Sequence, residues 1–212
     1  MATTNYTVPG DHEQATGKEM AEAQWHIENA TLDVTQFMQA VPEGAALADA
    51  EVFTPEGEAM PLSSLWAERP ALLVTGSMTC PPSRRLNPVT SKLAEEFGDR
   101  LNVAVLYIID AHPSGDLCPY TGTDWVTTTN QEEGVLIRQP RDQEERNSRA
   151  GEYRTTLELS VPVLVDNMRN EAWAALGKSP HTAVLVNTSG QGLEYQTWFH
   201  PDELKARLVQ LV

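Results

Sequence analysis

The chain has 212 residues, and 30 Asp plus Glu against 15 Lys plus Arg give a formal net charge of −15 with His neutral. That length allows one domain with extensions, or two small ones, and a core that needs no staples. A 41% hydrophobic content excludes a wholly disordered chain, and the negative balance argues against nucleic acid and anionic membrane surfaces, which attract Lys and Arg.

The two cysteines, Cys80 and Cys118, exclude a disulfide-dense scaffold and any metal site needing four thiolates. The start, MATTNYTVPGDHEQ, has neither the basic nor the apolar region of a signal peptide. No apolar run reaches the roughly 18 residues of a membrane span. The expectation is a cytoplasmic protein with no membrane partner.

Residues 1–46 read as a polar leader followed by a helical extension. From Gln14 to Ala40 the residues Met20, Ala23, Ala30, Leu32, Val34, Phe37 and Met38 suggest one or two amphipathic helices. These would pack on the core or on a second subunit, the latter making a homodimer. Residues 47–212 read as an α/β domain. Ala50–Phe53 is a short strand, Thr54-Pro55-Glu56-Gly57 a turn, and Met60–Trp66 a return strand and short helix. Ala71–Thr75 is a continuous apolar run, expected of a strand buried on both faces. A helix over Asn87–Phe97 and a second buried strand over Leu101–Ile109 complete a parallel βαβ unit. Residues 110–134 read as a long loop, which in a compact domain is functional or disordered. A solvated helix follows over Gln143–Leu159, then a strand at Val161–Asp166 and a short helix at Ala172–Leu176. A hairpin of Thr182–Asn187 and Glu194–Trp198 leads into a closing amphipathic helix, Pro201–Leu211.

The order β-α-β, long connection, α, β-β-α resembles the thioredoxin-like fold, a mixed central sheet flanked by helices. The hairpin at 50–65 extends it as in peroxiredoxin-like members.

Ligands of open α/β sheets bind beyond the carboxyl ends of the parallel strands. Strand 71–75 ends in Gly76-Ser77-Met78-Thr79-Cys80-Pro81-Pro82, so Cys80 reaches that edge at a helix start. A helix N-terminus favours the thiolate, the reactive form of Cys, and Arg84 and Arg85 add positive charge. Ser77 and Thr79 offer hydroxyls to the sulfur. The plainer alternative is a buried structural cysteine. Strand 101–109 ends in Tyr107-Ile108-Ile109-Asp110-Ala111-His112-Pro113-Ser114. Asp110 and His112, at i and i+2, share a side of an extended chain. The carboxylate is expected to orient the imidazole and raise its pKa, making a proton donor; the plainer alternative is a surface loop histidine. Cys118, in the long loop, is either a resolving cysteine or a bystander thiol. No CxxC is present, since Ser77 and Ser83 occupy the two completing positions. Pro162 opens a strand after a helix, where thioredoxin folds hold a cis proline facing the reactive sulfur; an ordinary trans proline is the alternative.

Gly76–Pro82 followed by Tyr107–Ser114 resembles the iodothyronine deiodinase family, with its Gly-Ser-x-Thr-Sec-Pro-Pro signature and then Tyr-Ile-x-Glu-Ala-His-x-Ser. Val163–Met168 is similar to its Val-Val-Asp-x-Met segment. The resemblance runs from about Leu62 to the end of the chain. It implies reductive removal of iodine from aromatic rings with thiols as electron source. By match, Cys80 stands for selenocysteine, Ser77 and Thr79 belong to a proton relay, and Tyr107, Asp110 and His112 form the strand-end cluster. The departures are Met78 for a vicinal Cys, Pro140 for a later substrate-holding His, Pro180 and His181 for the clamp before the hairpin, and a longer loop over Gly115–Asp124. The chemical centre carries over and the hormone clamp does not.

These residues predict a cysteine-dependent thiol oxidoreductase. It would act on a small halogenated aromatic, with no cofactor beyond an external thiol reductant. A peroxiredoxin-like peroxide reductase is the alternative enzyme; Ser77 matches its Thr or Ser three before Cys, and Leu73 departs from its Pro seven before. A non-enzymatic redox-sensing or binding protein is the third reading.

Overall fold

Two apolar runs form the centre of the molecule, and the rest is arranged around them. The computed structural model describes residues 41–211; the helical extension expected over 14–40 lies outside the described residues. In chain order come β1 (Glu51–Phe53), β2 (Ala59–Pro61), a 3-10 turn (Leu62–Trp66), β3 (Ala71–Gly76), α1 (Pro81–Leu86) and α2 (Pro88–Phe97). Then follow β4 (Asn102–Tyr107), α3 (Thr128–Glu133), α4 (Gln143–Thr156), β5 (Val163–Asp166), α5 (Glu171–Ala175), β6 (Ala183–Val186), β7 (Gly192–Gln196) and α6 (Pro201–Leu211).

The strands form one sheet in the order β2-β1-β5-β4-β3-β6-β7. β3 and β4 pair in parallel from Ala71↔Asn102 to Gly76↔Tyr107, and β5 joins β4 in parallel. β6 lies antiparallel on the other side of β3. Every residue of β3 is buried, as a strand covered on both faces requires. Successive side chains alternate between faces. Leu72, Val74, Val103, Val105, Val163 and Val165 meet Leu93 and Phe97 of α2, Ala150 and Tyr153 of α4, and Leu204 and Leu208 of α6. Leu73, Ala104, Leu106, Leu164, Val184 and Val186 meet Leu62, Trp66, Trp173 and Leu176 on the opposite face. Each large aliphatic buried this way contributes about 1.5–3 kcal/mol.

The thioredoxin-like architecture is the one expected, with three local differences. The helix expected over Asn87–Phe97 is present as α2, and an additional helix, α1, precedes it; the two are separate because Pro88 has no N–H to donate to the turn before it. The long loop contains α3, started by the Thr127 side chain accepting from Asn130 N–H at 3.1 Å and ended by Gly134 at φ 70°. Helix α4 is not solvated all round: Arg146, Asn147, Ala150 and Tyr153 face inward and are buried.

Pro162 requires a correction. No peptide bond among the described residues is cis, and Pro162 does not face Cys80. β5 runs parallel to β4 with Val163 opposite Val105, the middle of that strand, so Pro162 lies below the carboxyl edge that Cys80 follows, and β4 stands between it and β3.

Candidate active site

Cys80 is the N-cap of α1, held where β3 leaves the sheet. The turn is closed by Cys80 N–H donating to Ser77 O at 3.2 Å. Ser83 Oγ donates toward Ser77 O (3.0 Å) and Cys80 O (2.9 Å) and accepts from Ser77 N–H at 3.3 Å. Gly76 must be glycine: a Cβ there would fall 2.5 Å from Asn87 Nδ2 and 2.7 Å from the Tyr153 hydroxyl.

The Cys80 side chain is fully buried. Burial pushes its thiol pKa up; hydrogen bonding by Ser83 and the nearby Arg84 guanidinium pull it back, and Asp110 pushes it up further. The expectation of a sulfur favoured as thiolate is therefore corrected: desolvation outweighs the Ser83 hydrogen bonds and the arginine. Arg84 is fastened to Asn130 Oδ1 at 2.9 Å and to Met78 O. Asn130 Nδ2 in turn donates to Thr79 O at 2.8 Å, so α3 grips the cysteine loop.

Asp110, Tyr107 and Thr79 converge as expected, but with different bonds. Asp110 Oδ1 accepts from the Tyr107 hydroxyl (3.0 Å), the Thr79 hydroxyl (3.2 Å) and Thr79 N–H (3.3 Å). Its Oδ2 accepts from Arg149 Nη1 at 2.8 Å. The Tyr107 oxygen also accepts Met78 N–H at 3.1 Å. Asp110 is fully buried, and its backbone is matched on both sides by the Gln139 amide, at 3.1 and 2.7 Å. Ser77 Oγ accepts from Ala111 N–H at 3.3 Å, joining the two strand-end loops.

His112 is not oriented by Asp110, whose oxygens are taken by Thr79, Tyr107 and Arg149. Its backbone N–H donates to Thr79 Oγ1 at 3.0 Å. Its ring meets Trp125 edge to face at 4.4 Å, and its Nδ1 is buried without a hydrogen-bond partner. Burial lowers its pKa, and Arg84 adds to this against an opposing contact with the Trp125 backbone. The imidazole is thus neutral at rest, a proton acceptor rather than the charged donor expected.

Cys118 is buried and capped by its own turn. Its Sγ accepts from Tyr120 N–H at 3.4 Å and its carbonyl from Gly122 N–H at 2.9 Å. The Tyr120 phenol feels both sulfurs electrostatically. His181, at the clamp position, is built into the core: Nε2 meets Asn87 Oδ1 at 2.8 Å and the ring packs on Phe199. Arg149, Gln139 and Asn130 were not singled out by sequence. Their signal is a polar residue on the inward face of a helix or at a loop turn, which no local pattern separates from a solvated one.

Fold and site together define a thioredoxin-fold protein with a single cysteine at the head of the helix that follows the central strand. Its structure is similar to the thioredoxin domain of a thiol-disulfide oxidoreductase from Bacteroides vulgatus, at TM-score 0.56 and 10% identity over 81% of this chain and 99% of that one. It is also similar to a thiol-disulfide oxidoreductase from Bacteroides fragilis, at TM-score 0.54 and 13% identity over 79% of this chain and 100% of that one. At such identities the likeness concerns the fold alone.

Residues 11–210 match the family described as iodothyronine deiodinase, and the chain belongs to that family. It is 30% identical over 122 residues to the type II iodothyronine deiodinase of Rattus norvegicus, covering 57% of this chain and 43% of that protein. It is 29% identical over 161 residues to the thyroxine 5-deiodinase of Homo sapiens, covering 74% and 46%. The chain thus spans less than half the length of these curated relatives. Among the described residues no helix is long and apolar enough to cross a membrane.

Proposed function

We propose that the protein is a cysteine-dependent thiol oxidoreductase that removes halogen from a small halogenated aromatic, using electrons from an external thiol. The observation that carries this is Cys80 at the N-cap of α1, in a chain of the deiodinase family. Cys80 enters as a thiol and His112 as a neutral imidazole. His112 takes the thiol proton as the sulfur attacks the halogen. The carbon–halogen bond breaks, a sulfur–halogen bond forms, and the proton is delivered to the ring carbon. One reducing thiol then displaces halide to give a mixed disulfide, and a second releases Cys80 as thiol with a disulfide as product. Cys118 can stand in for the first of these if its turn opens.

The test is halide release from an iodinated phenol in the presence of dithiothreitol. Release should fall to the uncatalysed background in Cys80→Ser, since the nucleophile is gone. Equal rates for the two proteins remove Cys80 from the chemistry. Rapid Cys80-dependent consumption of hydrogen peroxide, without halide release, would establish the peroxide reductase instead.

A further inference from the structure

Resting on that reading of Cys80, we infer that Arg149 is a positioning residue for the reactive sulfur, acting through the Asp110 carboxylate. The two residues before Cys80 are both tethered to Asp110. Thr79 is bound by its N–H and its hydroxyl. Met78 N–H is bound through the Tyr107 hydroxyl, which itself donates to Asp110. All three donors meet one oxygen, Oδ1, and that geometry requires the oxygen to be an acceptor only.

Arg149 holds the same carboxylate from the other side. Its guanidinium donates to Oδ2 at 2.8 Å and to Arg138 O at 2.6 Å. Its side chain is 11% exposed against 0% for Asp110, so the pair is shielded and each partner depends on the other. Breaking such a pair by removing one partner leaves a buried charge uncompensated.

The charge matters to the sulfur as well as to the geometry. The titratable and charged groups facing Asp110 are Tyr107 from β4, Arg146 and Arg149 from α4, and Cys80 at the head of α1. Those facing Cys80 are Arg84 of α1, Asp110, Tyr120, and Tyr153 of α4, with Ser83 adding hydrogen bonds. Of these, Asp110 opposes thiolate formation. Among the described residues, Arg149 is the group bonded to Asp110 that offsets its charge with a full positive one. Removing Arg149 alone should make the thiolate harder to form; removing both partners should not.

The experiment follows alkylation of Cys80 by iodoacetamide against pH, read on the Cys80 peptide by mass spectrometry. Access to the buried thiol sets the height of that curve; a loss of packing, by hydrating the thiol, would lower its midpoint, whereas loss of the Arg149 charge raises it. In Arg149→Met the midpoint should rise by about one pH unit, giving about tenfold less thiolate at neutral pH. Arg149→Lys keeps a point charge without the fork and should rise less. Introducing Arg149→Met into Asp110→Asn should leave the midpoint of that variant unchanged. An unchanged midpoint in Arg149→Met overturns the inference. So does an equal rise in the Asp110→Asn background, which would mean that Arg149 acts on Cys80 directly. If Arg149→Met does not fold, Arg149→Lys and the Asp110→Asn pair still decide. A parent protein whose Cys80 resists alkylation at every pH overturns the reading of the sulfur and the inference with it; a reactive parent with an indifferent Arg149→Met overturns the inference alone.

Discussion

At the scale of single residues, the site is a set of contacts too close to tolerate an extra carbon. Gly76 sits where β3 turns toward Cys80, and the atoms a Cβ would strike are themselves tied down. Asn87 Nδ2 donates to the Tyr153 hydroxyl at 2.9 Å while its Oδ1 meets His181. Gly76→Ala must therefore break or stretch that network, and it should lower stability by about 1–3 kcal/mol, the range for overpacking a filled site. Urea unfolding measures it; an unchanged midpoint would show that Asn87 moves aside freely. Residue by residue, the runs at the two strand ends were legible because both cross the carboxyl edge of the sheet. What each side chain does there was not. Asp110 and His112 lie two apart, as expected of neighbours. Yet the carboxylate turns to Thr79, Tyr107 and Arg149, because a guanidinium from α4 and two hydroxyls leave no room for the imidazole. That arrangement depends on helix packing, which no spacing within one segment encodes.

Elements explain why the long loop is ordered near the site. Thr127 and Gly134 bracket α3 with chemistry that could be recognised in sequence: a hydroxyl N-cap and a glycine at positive φ. What sequence did not reveal is the target of this one-and-a-half-turn helix. Asn130 points back to the cysteine loop, donating to Thr79 O and accepting from Arg84. Asn130→Ala should destabilise the protein by about 1–3 kcal/mol, since a buried carbonyl loses its donor and a largely buried guanidinium loses an acceptor. Thermal unfolding with calorimetry checks it, and no loss would show that α3 is not fastened to Thr79. The break between α1 and α2 works in the same way: Pro88 ends the first helix, and the Asn87 side chain is left free to reach Thr75 O, Tyr153 and His181.

Over the whole molecule, the chain order of strands and helices was legible from apolar runs and turn residues, but the side-by-side order of strands was not. Pro162 shows why. The strand it opens pairs with β4 and β1 rather than with β3, a choice made by which apolar faces stack across the entire sheet. Those stacked faces also bury two titratable groups whose effects on stability oppose each other. Burial holds the His181 imidazole neutral, lowering its pKa from 6.5 to about 3, with His200 adding to the shift. Burial raises the Asp166 carboxyl from 3.8 to about 6, against the pull of Arg146 and of the Trp173 and Ala172 N–H groups. Between these limits the unfolded chain carries a proton on His181 that the fold refuses, so that contribution is complete above pH 6.5 and is lost as pH falls. Over 3.8 to 6 the fold keeps a proton on Asp166 that the unfolded chain has released, so that contribution is complete below 3.8 and is lost as pH rises. Each slope is about 1.4 kcal/mol per pH unit at most, and between about pH 4 and 6 the two cancel. His181→Gln removes the first slope. Measured against the parent by urea unfolding, its stability should decline steadily as pH is raised from 4 to 6. Asp166→Asn removes the second and should climb over the same interval. Two variants whose curves run parallel to the parent would mean that neither group changes its proton count on folding.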